Sequence, residues 1–162
     1  MGSNREKLTT TNINGMVEIL REHCIDKKLG GPFAAIIMKD GEVVGVGVNT
    51  VTSDRNPTRH AEMNAIDDAC ATLNTCNLKG CEIYTTGYPC PMCMAAIIWS
   101  GIKKVYYSAN YKDAKKLGFR DDLIYKFIKN GCKNTETLEF EQLNKESIIN
   151  LYKEYKQEGE IY

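Results

Sequence analysis

The residues whose types and spacing could do chemistry are His60-Ala61-Glu62 and, thirty positions later, Pro89-Cys90-Pro91-Met92-Cys93. Thiolates suit zinc, and two cysteines three apart at the start of a helix can converge on one ion while the positive helix end lowers their pKa. His60, at the start of a second helix, supplies a third ligand. Three protein ligands leave the fourth tetrahedral position for water, as in a catalytic zinc site. Glu62 is rotated well away from His60 on a helix, so its carboxylate addresses the water instead of the metal. There it can take a proton and return it to a substrate. Taken alone, Cys90 and Cys93 would serve as a redox pair, or as half of a structural zinc site closed by a cysteine such as Cys81. Alone, His60 would read as a helix-capping residue and Glu62 as a first-turn acid drawn to the helix dipole. The combination, in this order, favours the catalytic metal site.

The elements that must position these groups follow from hydrophobic periodicity. Ile13, Met16, Val17, Leu20 and Cys24 recur at helical intervals, and Gly30-Gly31-Pro32 stops that helix. His23, near its end, reads as a dipole partner or surface group. Phe33 to Lys39 and Glu42 to Asn49 are β-prone runs joined by Asp40-Gly41, a sequence suited to a tight type I′ hairpin. A turn-rich loop leads to a helix with the face Ala65, Ile66, Ala69, Cys70 and Leu73. Next come a strand over 81–86, a helix over about 91–100 and a strand over 103–109. Helices over about 111–117 and 121–129, a short strand near Thr137 to Phe140, and a last helix over about 144–157 complete the reading. The alternation implies an α/β domain with helices on both faces of one sheet.

The chain of 162 residues is long enough to form one domain without disulfide staples. Its 21 basic residues cancel its 21 acidic ones, leaving no global field to draw a nucleic acid or an anionic membrane. No run is long and apolar enough for a membrane span, and charges occupy the first residues where a signal peptide would need an apolar stretch. Seven cysteines, an odd number, favour free thiols and metal ligands over a disulfide framework. A cytoplasmic protein is expected.

H-x-E followed by P-C-x-x-C is the signature of zinc deaminases acting on nucleobases, and nearly the whole chain resembles the cytidine and deoxycytidylate deaminase superfamily. Gly30-Gly31-Pro32-Phe33, Lys39-Asp40-Gly41, Asn56-Pro57-Thr58, the two metal motifs, and Gly118-Phe119 with Ile124-Tyr125-Lys126 are similar to the bacterial-type guanine deaminases. The likeness is closer than to tRNA adenosine deaminases, whose cysteine motif usually reads E-P-C-V-M-C. The resemblance implies a three-layer α/β/α, cytidine-deaminase-like fold with a central five-stranded mixed sheet. It also implies a single zinc-dependent domain over 1–162 and a homodimer exchanging a C-terminal segment of about 132–162.

The same resemblance implies zinc on His60, Cys90 and Cys93, catalysis by Glu62, and base contacts from Asn49, Asp121, Phe33 and the terminal Tyr162. Asp122 aligns less well than Asp121. Two departures stand out: Gly87-Tyr88 replaces the Cys-Glu that precedes Pro-Cys in guanine deaminases, and Arg120 stands where relatives usually carry an acid. The implied reaction is guanine and water to xanthine and ammonia, with guanosine or cytosine as alternative small-molecule substrates. A tRNA adenosine deaminase would need phosphate contacts from Lys103, Lys104, Lys112, Lys115 and Lys116. A non-catalytic zinc module that binds a partner would need a fourth protein ligand and no Glu62.

Overall fold

The computed structural model describes residues 13–159. In chain order the elements are α1 (Ile13–Leu20), a π-helical turn (Arg21–Asp26), β1 (Ala34–Lys39), β2 (Glu42–Val48), α2 (Val51–Asp54), α3 (Ala61–Leu73), β3 (Glu82–Gly87), α4 (Pro91–Trp99), β4 (Lys104–Ala109), α5 (Tyr111–Lys116), α6 (Asp121–Lys129) and α7 (Lys145–Glu158). The chain divides after Asp122 into two compact units.

The first unit is organised by β1, whose residues Ala34 to Ile37 are all buried. A strand apolar on both faces belongs between two layers. β2 returns antiparallel beside it through Asp40-Gly41, where both residues have positive φ, 50° and 83°, as a type I′ turn requires. β3 lies antiparallel on the other side of β1, and β4 follows parallel to β3, giving the order β2-β1-β3-β4. On one face Ala35, Ile37 and Ile83 pack with Ala61, Ala65 and Ala69 of α3 and Ile97 of α4. On the other, Met16 and Leu20 of α1 cover Ala34 and Ile36. Helices therefore flank a mixed sheet.

That sheet has four strands, not the five expected. The segment read as a short strand, Thr137 to Phe140, is not one. Asn134 captures its backbone: the Thr137 and Leu138 N–H groups donate to the Asn134 carbonyl at 3.1 and 3.2 Å, and the Glu136 N–H donates to Asn134 Oδ1 at 3.1 Å. A backbone folded into such an Asx turn offers no ladder to a sheet. In the second unit Phe127 is buried and its ring stacks on Phe140 with centroids 6.2 Å apart.

The feature that matters most for position is the seat of α3. On β2, a Cβ at Gly45 would sit 2.5 Å from the Ala65 carbonyl oxygen, and one at Gly47 would collide with the Ala61 carbonyl. Glycine on the strand and alanine every fourth residue on the helix let the two backbones touch. The N-terminus of α3 is thereby held against the sheet.

Candidate active site

Two helix N-termini carry the metal-ligating groups. His60 is the N-cap of α3, extended at φ −73° and ψ 159°. Cys90 is the N-cap of α4, with Pro91 at the first helical position, where its missing N–H costs nothing, and Cys93 in the first turn. His60 Nδ1 lies 3.6 Å from both Cys90 Sγ and Cys93 Sγ. Zinc bonds of about 2.3 Å to sulfur and about 2.0–2.1 Å to nitrogen, at tetrahedral angles, put a ligand nitrogen about 3.6 Å from a ligand sulfur. The three residues therefore fit zinc. Among the described residues they form the one such group, and Cys81 is packed in the core with Ile37 and Ile83. Among the described residues of the first unit, no fourth cysteine joins the group.

The three groups share protons among themselves. Cys90 is held down to about 4, first by a hydrogen bond from Cys93 and then by His60, while Cys93, which keeps that proton, is pushed up. The Cys90 thiolate raises His60. His60, Cys90 and Cys93 would hold zinc as a neutral imidazole and two thiolates, giving up these shared protons on binding. Glu62, in the first turn of α3, is buried and approaches Cys93 Sγ to 3.4 Å. Burial raises its pKa.

His60, Glu62 and Cys90 open onto a cavity of about 490 Å³, bordered also by Asn49, Asp121, Phe33, Phe119 and Tyr88. Asn49 follows β2 and is buried; its Oδ1 accepts the N–H groups of Gly31 at 3.0 Å and Val51 at 3.2 Å. Two donors on one atom assign it as oxygen, so the amide nitrogen is the end left for a ligand. Asp121 and Asp122 diverge. Asp122 pairs with Arg120 and Lys115, both at 3.0 Å, and is held near 2 by them. Asp121 borders the cavity, and burial raises its pKa. Phe33 and Phe119 meet edge to face with centroids 4.9 Å apart, and Tyr88 meets Tyr107 likewise at 4.9 Å. Tyr162 lies outside the described residues.

Residues 12–109 match the family described as the cytidine and deoxycytidylate deaminase zinc-binding region. The chain belongs to this deaminase family. Within it, the chain is 46% identical over 104 residues to a guanine deaminase of Bacillus subtilis (strain 168), covering 64% of this chain and 67% of that protein. The X-ray structure of guanine deaminase from Bacillus subtilis aligns with a TM-score of 0.79 at 36% identity, covering 91% of this chain and 95% of that one. A tRNA-specific adenosine deaminase of Aquifex aeolicus (strain VF5) is 50% identical over 78 residues, 48% of this chain and 52% of that protein. The protein is accordingly a zinc-dependent deaminase.

One polar residue of this deaminase departs from its sequence reading. His23 is not a surface group: it is buried, and its Nε2–H donates to the Asn49 carbonyl oxygen at 2.6 Å. The signal was present in the periodicity. His23 stands seven residues after Met16 and three after Leu20, both buried, and so lies on the stripe that faces inward. Its polarity hid it. Phe119 entered the sequence reading only as part of a motif, without a role; the structure brings its ring against Phe33.

Proposed function

We propose that this deaminase converts guanine and water to xanthine and ammonia. The observation that carries the reading is the pairing, in one cavity beside Glu62, of a hydrogen-bond donor with an acceptor: the Asn49 amide and the Asp121 carboxyl. Guanine offers a carbonyl oxygen to the first and ring N–H groups to the second. Phe33 and Phe119 supply apolar walls for a flat ring.

Zinc, when bound, lowers the pKa of a water in the open position toward neutrality. Glu62 takes a proton from the attacking water as the C–O bond forms at C2 and delivers it to a ring nitrogen. Glu62, now a carboxylate, takes the remaining proton from the new C2 hydroxyl and passes it to the amine as the C2–N bond breaks, so that ammonia leaves and the C2–O bond becomes the carbonyl of xanthine. A carboxyl whose pKa is raised by burial suits both halves of this exchange. Asn49 and Asp121 hold the ring with C2 toward Glu62. Tyr162, on the strength of the resemblance, closes the cavity.

The runner-up is a nucleoside or a base in tRNA. Three of the lysines that would meet phosphate are already paired: Lys104 with Glu82, Lys115 with Asp122 and Lys116 with Asp113. That local neutrality supports the small molecule. The proposal includes a cytoplasmic location and a homodimer that exchanges the segment after about residue 132. Ile148, Leu151, Tyr152 and Tyr155, exposed along α7, support the exchange. Among the described residues no helix is long and apolar enough to cross a membrane.

The test is ammonia release from guanine, guanosine, adenine, cytosine, cytidine and a tRNA anticodon stem-loop, with light scattering for the dimer. Guanine is expected to give the highest kcat/KM, and a higher value for any other substrate overturns the assignment.

A further inference from the structure

We propose that His23 is a positioning residue for base binding, fixing the Asn49 side chain through its backbone carbonyl. The proposal rests on the reading of Asn49 as a base contact. Three observations meet at this residue. The His23 ring is buried and its Nε2–H donates to the Asn49 carbonyl at 2.6 Å. Facing an oxygen, that nitrogen must carry the proton. The Asn49 side chain spends Oδ1 on the Gly31 and Val51 N–H groups, leaving the amide nitrogen as its free end at the cavity. Finally, a Cβ on Gly30 would strike the Asn49 carbonyl and lie 2.7 Å from its Oδ1, so the Gly30-Gly31 backbone runs directly over the asparagine. Asn49 is thus gripped from its carbonyl by His23 and from its side chain by Gly31 and Val51.

His23 owes its reach to the widened turn over Arg21–Asp26. A π-helical turn carries one more residue than an α-turn and re-aims the side chains that follow, a device found often at functional sites. The turn is itself tied to the cavity wall. The Leu29 N–H donates to the His23 carbonyl at 3.0 Å, and the Ser53 N–H of α2 donates to the Leu29 carbonyl at 3.0 Å. The Asn49 N–H, in the peptide group before the one His23 holds, donates to the Phe33 carbonyl at 3.0 Å, so Asn49 is joined on its other side to the residue bearing the aromatic wall. His23 is itself neither one of the metal-ligating residues nor a residue bordering the cavity, and its ring reaches the cavity wall by its hydrogen bond to Asn49.

Kinetics and amide hydrogen exchange on the zinc-loaded protein test the idea with two variants, His23→Leu and His23→Gln. Leucine fills the space without a donor; glutamine can present an amide N–H near the place of Nε2. His23→Leu is expected to raise the KM for guanine about five- to tenfold, with kcat within about twofold, as the loss of one buried hydrogen bond from ground and transition states alike predicts. His23→Gln is expected to return KM to within about twofold of wild type. Exchange of the Gly31 and Val51 amides, which end on Asn49 Oδ1, should quicken in the leucine variant only, while amides of β3 keep their wild-type rates. Equal behaviour of the two variants, a fall in kcat matching the rise in KM, or unmoved exchange at Gly31 and Val51 overturns the positioning role. If wild type releases no ammonia from guanine yet the exchange pattern holds, the positioning role stands and the substrate assignment falls.

Discussion

The cavity has two walls built on opposite principles. On the metal wall, His60, Glu62, Cys90 and Cys93 all belong to the first turns of α3 and α4 or cap them, and α3 lies backbone to backbone on β2. On the base wall, Asn49 follows a strand, Phe33 precedes one, and Phe119 and Asp121 flank the start of α6. Helix starts hold the metal-ligating groups, and, on the proposed function, single residues from separated segments shape the specificity. If the proposed base contacts hold, the contrast implies that substrate choice can change without disturbing the metal, and the variants below break or sharpen that separation.

The largest effect is expected from Glu62→Gln. An amide of the same shape keeps the packing but cannot accept and return the proton, so turnover should fall by about 10²- to 10⁴-fold. Zinc content by metal analysis should remain one per chain. Activity within tenfold of wild type would place the general base elsewhere.

Next in size is Gly47→Ala, which attacks the seat of the metal wall. The added methyl collides with backbone, not with a side chain that could turn away. Overpacking of this kind costs about 1–3 kcal/mol, a melting midpoint lower by roughly 3–10 °C. Zinc affinity should weaken with it, because His60 caps the displaced helix. A variant with unchanged melting midpoint and zinc affinity would show that α3 has slack against β2.

The same division explains what could be read without the structure. His60-x-Glu62 and Cys90-x-x-Cys93 are each local, so spacing alone yields one helix start apiece, and the zinc site needs only that the two starts meet. The hairpin at Asp40-Gly41 is local as well. The base wall is not. Asn49 and Asp121 came into view through family likeness, because nothing in an isolated asparagine or aspartate distinguishes a cavity residue from a turn or cap. His23 was misread because a polar residue near a helix end suggests solvent, although its position after Met16 and Leu20 pointed inward. The fifth strand was an inference from relatives. At 137–140 the β-prone residues lose to Asn134, whose carbonyl and side chain take the backbone N–H groups first.

A smaller effect, confined to the base wall, is expected from Asn49→Ala and Asp121→Asn. On the proposed function each would leave one edge of a bound guanine without its partner, and kcat/KM should fall about ten- to a hundredfold while zinc content stays at wild-type level. Loss of zinc from either variant would mean that the two walls are coupled.

The smallest effect belongs to Asp122→Asn, and it sharpens the comparison because Asp121 stands next to it in the chain. Asp122 faces Arg120 and Lys115 at the surface, and their charges hold its pKa near 2, below the ordinary aspartate value of about 3.9. A carboxylate depressed in the folded state adds stability above its unfolded pKa and loses it as the pH falls through the folded one. Wild type should therefore melt slightly above Asp122→Asn at neutral pH, and the gap should close between about pH 4 and pH 2. Exposed ion pairs contribute little, so the neutral-pH difference should be no more than a degree or two. Guanine kinetics should stay within twofold of wild type, because the carboxylate points to the lysine and arginine instead of the cavity. If Asp122→Asn instead impairs guanine turnover as strongly as Asp121→Asn, the acid that meets the base has been assigned to the wrong member of the pair.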